Sequence, residues 1–363
     1  MKLVIFGLSV SSSWGNGHAT LWRGLCSALA RRSHRVVFLE RDVPYYASTR
    51  DLFELPGGEL ILYRDWNEVL PTARRHVSDS DVAMVTSYCP DAIAATALTL
   101  DSAPRLRVFY DLDTPITLQS LELGDLDYLR ADQIPGFDLY LSFTGGKILD
   151  VLCRRWKAQQ VGALFGCVDP NVHTRVAPRA DFTSVLSYMG TYAPDRQRKL
   201  ETLFLEPARR LPKSPCVLAG SLYPREWVWP ANVCHIEHVP PEGHSALYSS
   251  SRLTLNITRD GMARYGYCPS GRFFEAAACA TPLVTDWWYG LDTFFTPGEE
   301  LFVAAESADV VEALTSSDRE LRIMAGRARE RTLAEHTGDH RAAQLLEHFE
   351  RAMAPLQRAL ASD

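Results

Sequence analysis

Short unbroken apolar runs alternate along this chain with stretches in which apolar residues recur every three or four positions. The first run, Lys2–Gly7, opens into a Gly/Ser-rich loop over Ser11–Gly17. From His18 to Arg32 the residues Leu21, Leu25, Ala28 and Leu29 take the spacing of one buried helical face. Arg35–Glu40 then reads as a second buried strand. Strand, loop, helix and strand in that order dictate parallel strands joined by a crossover. The alternation predicts further strands at Leu60–Tyr63, Val82–Ser87, Leu106–Tyr110 and Leu139–Phe143, and a helix at Asp91–Leu100.

Both rhythms stop between Gly166 and Asp181, where Pro, Asp, Asn and Arg dominate, the composition of a connection between domains. They restart with strands expected at Thr183–Met189, Pro215–Ala219, Cys234–Glu237, Leu253–Ile257 and Pro282–Asp286. Helices are expected at Arg196–Arg210, His244–Ser249, Gly271–Cys279, Ala308–Thr315 and Asp318–His336. A last helix, Gly338–Leu360, is expected to pack back on the first half. The fold class is therefore α/β: two Rossmann-like, doubly wound parallel sheets facing a central cleft at the carboxyl ends of their strands. The expected domains are 1–170, 171–340 and the returning helix 341–363.

Composition narrows the function. At 363 residues, 46% hydrophobic and 23% charged, the chain is an ordinary globular protein with room for two domains. Lys plus Arg number 38 against 44 Asp plus Glu, a net charge of −6, which speaks against nucleic acid as the main partner. The first apolar run breaks too early for a signal peptide, and no run is long enough to span a membrane. Eight scattered cysteines without a Cys-x-x-Cys pair suit buried reduced thiols, so a cytoplasmic location is expected.

Two loops after strands invite a phosphate. In the first, Ser13-Trp14-Gly15-Asn16-Gly17-His18, the glycines Gly15 and Gly17 expose backbone amides at a helix start. The third glycine of a dinucleotide fingerprint is replaced by Thr20, yet Glu40 ends the next strand where a ribose-binding acid would sit. A nicotinamide-nucleotide site and a plain turn both stand, as do a proton-accepting and a structural role for His18. In the second, Arg259-Asp260-Gly261 leads through Tyr267-Cys268-Pro269 to a helix starting at Ser270 or Gly271. Arg272 and Glu275, three apart, share a face of that helix. Amides with Arg272 would meet a diphosphate and Glu275 a sugar's vicinal hydroxyls; an N-cap followed by a surface pair is the plainer alternative.

These residues carry a resemblance. Leu255-Asn256-Ile257-Thr258-Arg259, Pro269-Ser270-Gly271-Arg272-Phe273-Phe274-Glu275-Ala276-Ala277-Ala278-Cys279, Pro282-Leu283-Val284-Thr285-Asp286 and Pro297-Gly298-Glu299-Glu300 resemble the C-terminal domain of CgeB-like, spore-maturation-type glycosyltransferases. Ser13–Thr20 and Glu40-Arg41-Asp42-Val43-Pro44 are similar to that group as well. The resemblance implies a GT-B fold and a donor nucleoside-diphosphate sugar (UDP-, dTDP- or GDP-linked) held mainly by the C-terminal domain. It implies an acceptor of unstated identity on the N-terminal side, with neither metal nor further cofactor. It assigns Glu275 to the donor ribose and Ser270, Gly271, Arg272 and Phe273 to the helix start near the diphosphate. Gly190, Tyr192 and Arg196 fall on the first loop of that domain, with Arg259 a further candidate cation. Two positions depart from the pattern: Tyr267 stands where retaining relatives carry a second glutamate, and Ala280 where a glycine is usual.

Asp111-Leu112-Asp113-Thr114, at a strand's carboxyl end, is an Asp-x-Asp. It reads as a metal site, as an acceptor-side base at Asp111 or Asp113, or as a structural loop. His18, Asp113 and Asp111 are thus the candidate catalytic groups, and Gly15, Asn16, Gly17, Thr114 and Asp286 the candidate acceptor side. Trp287-Trp288-Tyr289 divides evenly between sugar stacking and core filling. The favoured activity is glycosyl transfer to a hydroxyl or amine. The alternatives are a nucleotide-sugar epimerase and a non-catalytic nucleotide or sugar sensor.

Overall fold

The computed structural model describes residues 1–102 and 104–360, the last five by backbone alone. Two compact units divide the chain. One comprises 1–13, 18–165 and 338–363, the other 14–17 and 166–337.

In the first unit β1 (Lys2–Gly7), β2 (Arg35–Arg41), β3 (Glu59–Tyr63), β4 (Val82–Thr86), β5 (Leu106–Asp111), β6 (Leu139–Ser142) and β7 (Val161–Ala163) form one sheet. The order is β3-β2-β1-β4-β5-β6-β7, parallel throughout. Connecting helices are α1 (His18–Arg31), the single turn α2 (Pro44–Ala47), α3 (Trp66–Ser78), α4 (Ala92–Asp101), α5 (Thr114–Leu123) and α6 (Lys147–Arg154). The central strands β1 and β4 are apolar and buried along nearly their whole length, as a sheet covered on both faces requires. Helices α3, α5 and α6 lie outside the segments the apolar pattern predicts as helical. In α3, Asp65 caps the first turn by accepting from the amide of Asn67 at 2.8 Å, while Pro71 interrupts the interior.

The second unit repeats the plan with β8 (Ser184–Met189), β9 (Cys216–Ala219), β10 (Val233–Ile236), β11 (Ser251–Asn256), β12 (Leu283–Thr285) and β13 (Phe302–Val303). Their order, β10-β9-β8-β11-β12-β13, is again all parallel and reverses direction at β8 and β11. After β8 a helix runs over 197–210, with α7 (Gln197–Leu200) and α8 (Glu206–Arg210) flanking a π-wound Glu201–Leu205. The remaining helices are α9 (Pro241–Ser249), α10 (Asp260–Tyr265), α11 (Gly271–Ala278), α12 (Ser307–Thr315), α13 (Asp318–Glu335) and α14 (Gly338–Leu360). The last returns to the first unit, where Ala342, Leu345, Phe349, Ala352 and Met353 join its core.

Helix α11 ends in a left-handed cap. Ala280 takes φ +51°, its amide bonds to the Ala277 carbonyl at 2.9 Å, and the Thr281 amide reaches back to Ala276 at 3.1 Å. A residue with a Cβ is strained there, so the alanine that departs from the family pattern costs about 1 kcal/mol. No helix among the described residues is long and apolar enough to cross a membrane.

Candidate functional site

Both sheets reverse direction at their first strand, and open α/β sheets bind ligands at such switch points. The two first loops are built differently. After β1, the fully buried Glu40 carboxylate turns back under its own loop. It accepts from the Val10 and Ser11 amides at 2.8 and 3.0 Å and from the Ser9 and Ser11 hydroxyls at 2.9 and 2.6 Å. Both oxygens are consumed by the loop they support. Glu40 is therefore not available as a ribose ligand, and the nicotinamide-nucleotide reading of this loop loses its acid. Gly15, Asn16 and Gly17 belong by packing to the second unit, with the Trp14 ring centroid 4.6 Å from that of His238. His18 opens α1, its ring stacked on Tyr88 at 6.2 Å.

The Asp-x-Asp does not present two carboxylates to a shared ion. β5 ends at Asp111, which is fully buried and accepts from Thr117 Oγ1 and Tyr140 Oη at 2.7 Å each and from the Asp113 amide at 3.2 Å. Burial lifts this carboxyl to about 6. Its oxygens are spent on the turn beneath Asp113, which corrects its candidacy as base or metal ligand. Thr114 also points inward, its hydroxyl 2.7 Å from Ser142 Oγ, and leaves the acceptor list. Asp113 is half-buried and accepts from the Tyr88 hydroxyl at 2.7 Å. Tyr88 holds φ +64°, a conformation bulky residues rarely take, so this hydrogen bond sits on a strained backbone.

In the second unit, three elements deliver cations and open backbone to one place. β8 ends at Met189, and Gly190 follows. A Cβ on Gly190 would lie 2.6 Å from the Tyr188 hydroxyl and 2.8 Å from Arg272 Nη2, so a larger residue would displace one or both side chains. Arg196, just before α7, donates to the Tyr188 hydroxyl at 3.4 Å and the Thr191 carbonyl at 3.2 Å. Arg272, in the first turn of α11, lies over the Tyr188 ring at 5.3 Å and bonds Asn256 Oδ1 at 3.4 Å and the Ile257 carbonyl at 3.5 Å. Ser270, at the N-cap position of α11, spends its hydroxyl on Asn256 Oδ1 at 2.7 Å and leaves the first amides of the helix to other partners. The candidate cations differ in one respect. Arg259 pairs with Asp195 at 2.9 Å, whereas Arg272 meets no carboxylate among the described residues. Tyr192 closes the side of the loop, its hydroxyl 2.8 Å from Gln197 Oε1 and its ring against Tyr223 and Trp227.

One turn deeper in α11, Glu275 is buried. Its oxygens lie 3.8 Å from His173 Nε2 and 4.0 Å from His244 Nδ1, and the two imidazoles are 3.3 Å apart. Burial lowers both histidines from their ordinary value, against the pull of the Glu275 charge. His244 Nε2 donates to the Val239 carbonyl at 3.1 Å, which leaves Nδ1 to accept from His173. These three side chains could share a metal ion, being within 4.8 Å of one another. The histidine–histidine hydrogen bond already uses the lone pair an ion would need.

Two further candidates are corrected. Phe273 is fully buried, its ring 5.0 Å from Phe295, and is a core residue of α11, not a donor contact. Asp286 is buried at the end of β12, accepting from the Thr258 amide at 2.8 Å and Lys199 Nζ at 3.0 Å. Burial raises its carboxyl, opposed by Lys199. It fastens the β11 and β12 ends together, so it does not line an acceptor side. Trp288 is buried whereas Trp287 and Tyr289 are exposed. Tyr188 and Lys199, which organise the site, carry no local sequence signal, and Asn256 stands in a quoted motif without a role of its own.

Residues 196–347 match a family described as glycosyl transferase-like. Solved structures share the fold over nearly the whole chain. Sucrose-phosphate synthase from Thermosynechococcus elongatus has a TM-score of 0.68 at 14% identity, covering 98% of this chain and 99% of that one. HepE of Anabaena, in complex with UDP and glucose, scores 0.64 at 12% identity over 97% and 100%. An α-glucosyltransferase in complex with UDP-glucose and DNA containing an abasic site scores 0.74 at 13% identity over 96% and 99%. No curated protein matches significantly by sequence. The family match covers less than half of the chain; over nearly its whole length the chain shares the fold of these glycosyltransferase structures, two parallel sheets with flanking helices.

Proposed function

We propose that the second unit binds a nucleoside-diphosphate sugar, with Gly190, Arg196 and Arg272 at the diphosphate and Glu275 at the ribose, and that the glycosyl group passes to an acceptor hydroxyl or amine. The observation that carries this reading is Arg272: a cation in the first turn of a helix, without a carboxylate partner among the described residues, beside a glycine whose Cβ would crowd it. Diphosphate departure needs charge neutralisation, and preorganised guanidiniums and amides supply it without a metal. In this reading Asp113, which accepts from the Tyr88 hydroxyl, and His18, stacked on Tyr88, are the candidates to take the acceptor's proton.

The motifs around Arg259–Cys279 favour the CgeB-like group of glycosyltransferases, and the cysteine pattern favours a cytoplasmic protein. UDP and UDP-glucose, bound by the structural neighbours, are the first donors to test. The net charge of −6 favours a small molecule, glycan or protein as acceptor over DNA. Replacing Glu275 with alanine should weaken nucleotide-sugar binding at least tenfold, since hydrogen bonds to a charged group contribute about 1.5–3 kcal/mol. Calorimetry on variant and wild type checks this, and equal affinities would overturn the ribose assignment.

A further inference from the structure

We propose that Tyr188 is a positioning residue of the diphosphate subsite, holding Arg196 and Arg272 at the Gly190 loop. The proposal rests on the reading that this subsite takes a diphosphate.

Tyr188 is 1% exposed at the carboxyl end of β8, where phenylalanine would pack as well if only apolar contact mattered. Its oxygen accepts from Arg196 Nη1 at 3.4 Å, and its ring carries Arg272 at 5.3 Å. That oxygen lies 2.6 Å, and Arg272 Nη2 2.8 Å, from where a Gly190 Cβ would stand, so phenol and guanidinium converge on one point. Among the described residues the hydroxyl donates to no carbonyl or carboxylate, although a buried O–H ordinarily does. Two cations and a free O–H donor around a bare backbone form an anion subsite before any anion arrives.

The charges leave a signature. Burial alone would raise the phenol; Arg196 and Arg272 together outweigh it and hold the group below its ordinary value, with Asp286 opposing them and Tyr223 adjoining. An arriving diphosphate cancels the guanidinium charges, so Tyr188 then binds its proton more tightly.

The base-blind probe is inorganic pyrophosphate on the full chain. Tyr188→Phe should weaken pyrophosphate binding about tenfold by calorimetry, the loss expected for one hydrogen bond in a charged network. Gly190→Ala, which presses a methyl group against the same hydroxyl and against Arg272, should do the same. At alkaline pH, pyrophosphate should lower the tyrosinate absorbance near 295 nm in wild type and leave Tyr188→Phe unchanged. Pyrophosphate binding by Tyr188→Phe at wild-type strength, or an absorbance change that persists in the variant, would overturn the proposal. Failure of wild type to bind pyrophosphate at all would instead overturn the diphosphate reading beneath it.

Discussion

The loops after β1 and β8 occupy the same place in two sheets of the same order, yet a buried carboxylate lies under only the first among the described residues. After β1, Glu40 lies under the loop and consumes two amides and two hydroxyls. After β8, the corresponding space is bordered by Gly190, Arg196 and Arg272, and no carboxylate approaches Arg272 among the described residues. Topology makes both loops candidate phosphate sites; electrostatics selects the second. An internal carboxylate is a permanent anion, and the Ser9–Ser11 donors that hold it are not available to a second one.

Breaking the first loop should have the largest effect. Glu40→Ala leaves four buried donors without an acceptor, at about 1–3 kcal/mol each before relaxation, so a destabilisation of about 4 kcal/mol is expected by denaturant titration. Nucleotide affinity measured well below the melting temperature should hardly change, and a variant that lost stability and affinity together would erase the contrast. Sharpening the second loop comes next. Arg272→Ala should weaken nucleoside diphosphates ten- to a hundredfold while leaving nucleosides within a factor of about two.

The Asp-x-Asp loop supplies a pH test. Asp111 titrates at about 6 in the folded protein against an ordinary value of 3.8, so between these the native state binds the extra proton. Its contribution favours the folded state fully below about pH 4 and is lost as pH rises through 6, by on the order of 2–3 kcal/mol. Asp111→Asn should remove this slope from a plot of stability against pH, and a slope unaltered by the substitution would contradict the burial argument. The smallest effect belongs to Ala280. Glycine there relieves the φ of +51° and should raise stability by about 0.5–1 kcal/mol, readable as a small upward shift in Tm.

What the sequence made visible followed from local rules. Strands such as Lys2–Gly7 are continuous apolar runs, and the start of α11 is marked by Pro269-Ser270-Gly271 ahead of a buried face. Helix α3 is hard to read from the sequence because Pro71 falls inside it and its buried face, Val69, Ala73, His76 and Val77, is narrow and carries a histidine. The site was legible only where its residues adjoin in sequence. Arg272 and Phe273 are neighbours in one motif, yet helical geometry turns one toward Tyr188 and the other into the core. Asp286 reads as a strand-end acid with a free carboxylate, but its partner Lys199 is 87 positions away. Glu40 likewise looks like a ribose acid until the chain folds Ser9–Ser11 over it. Long-range pairing of charge decides which polar residue is available, and no local pattern records it.

Calorimetric titration of the wild-type protein and of Arg272→Ala with UDP, and with uridine as the control, tests the central claim most directly. Wild type is expected to bind UDP much more tightly than uridine, and the variant to lose this preference. Equal affinity of wild type for the two, or a preference that survives the substitution, would contradict it.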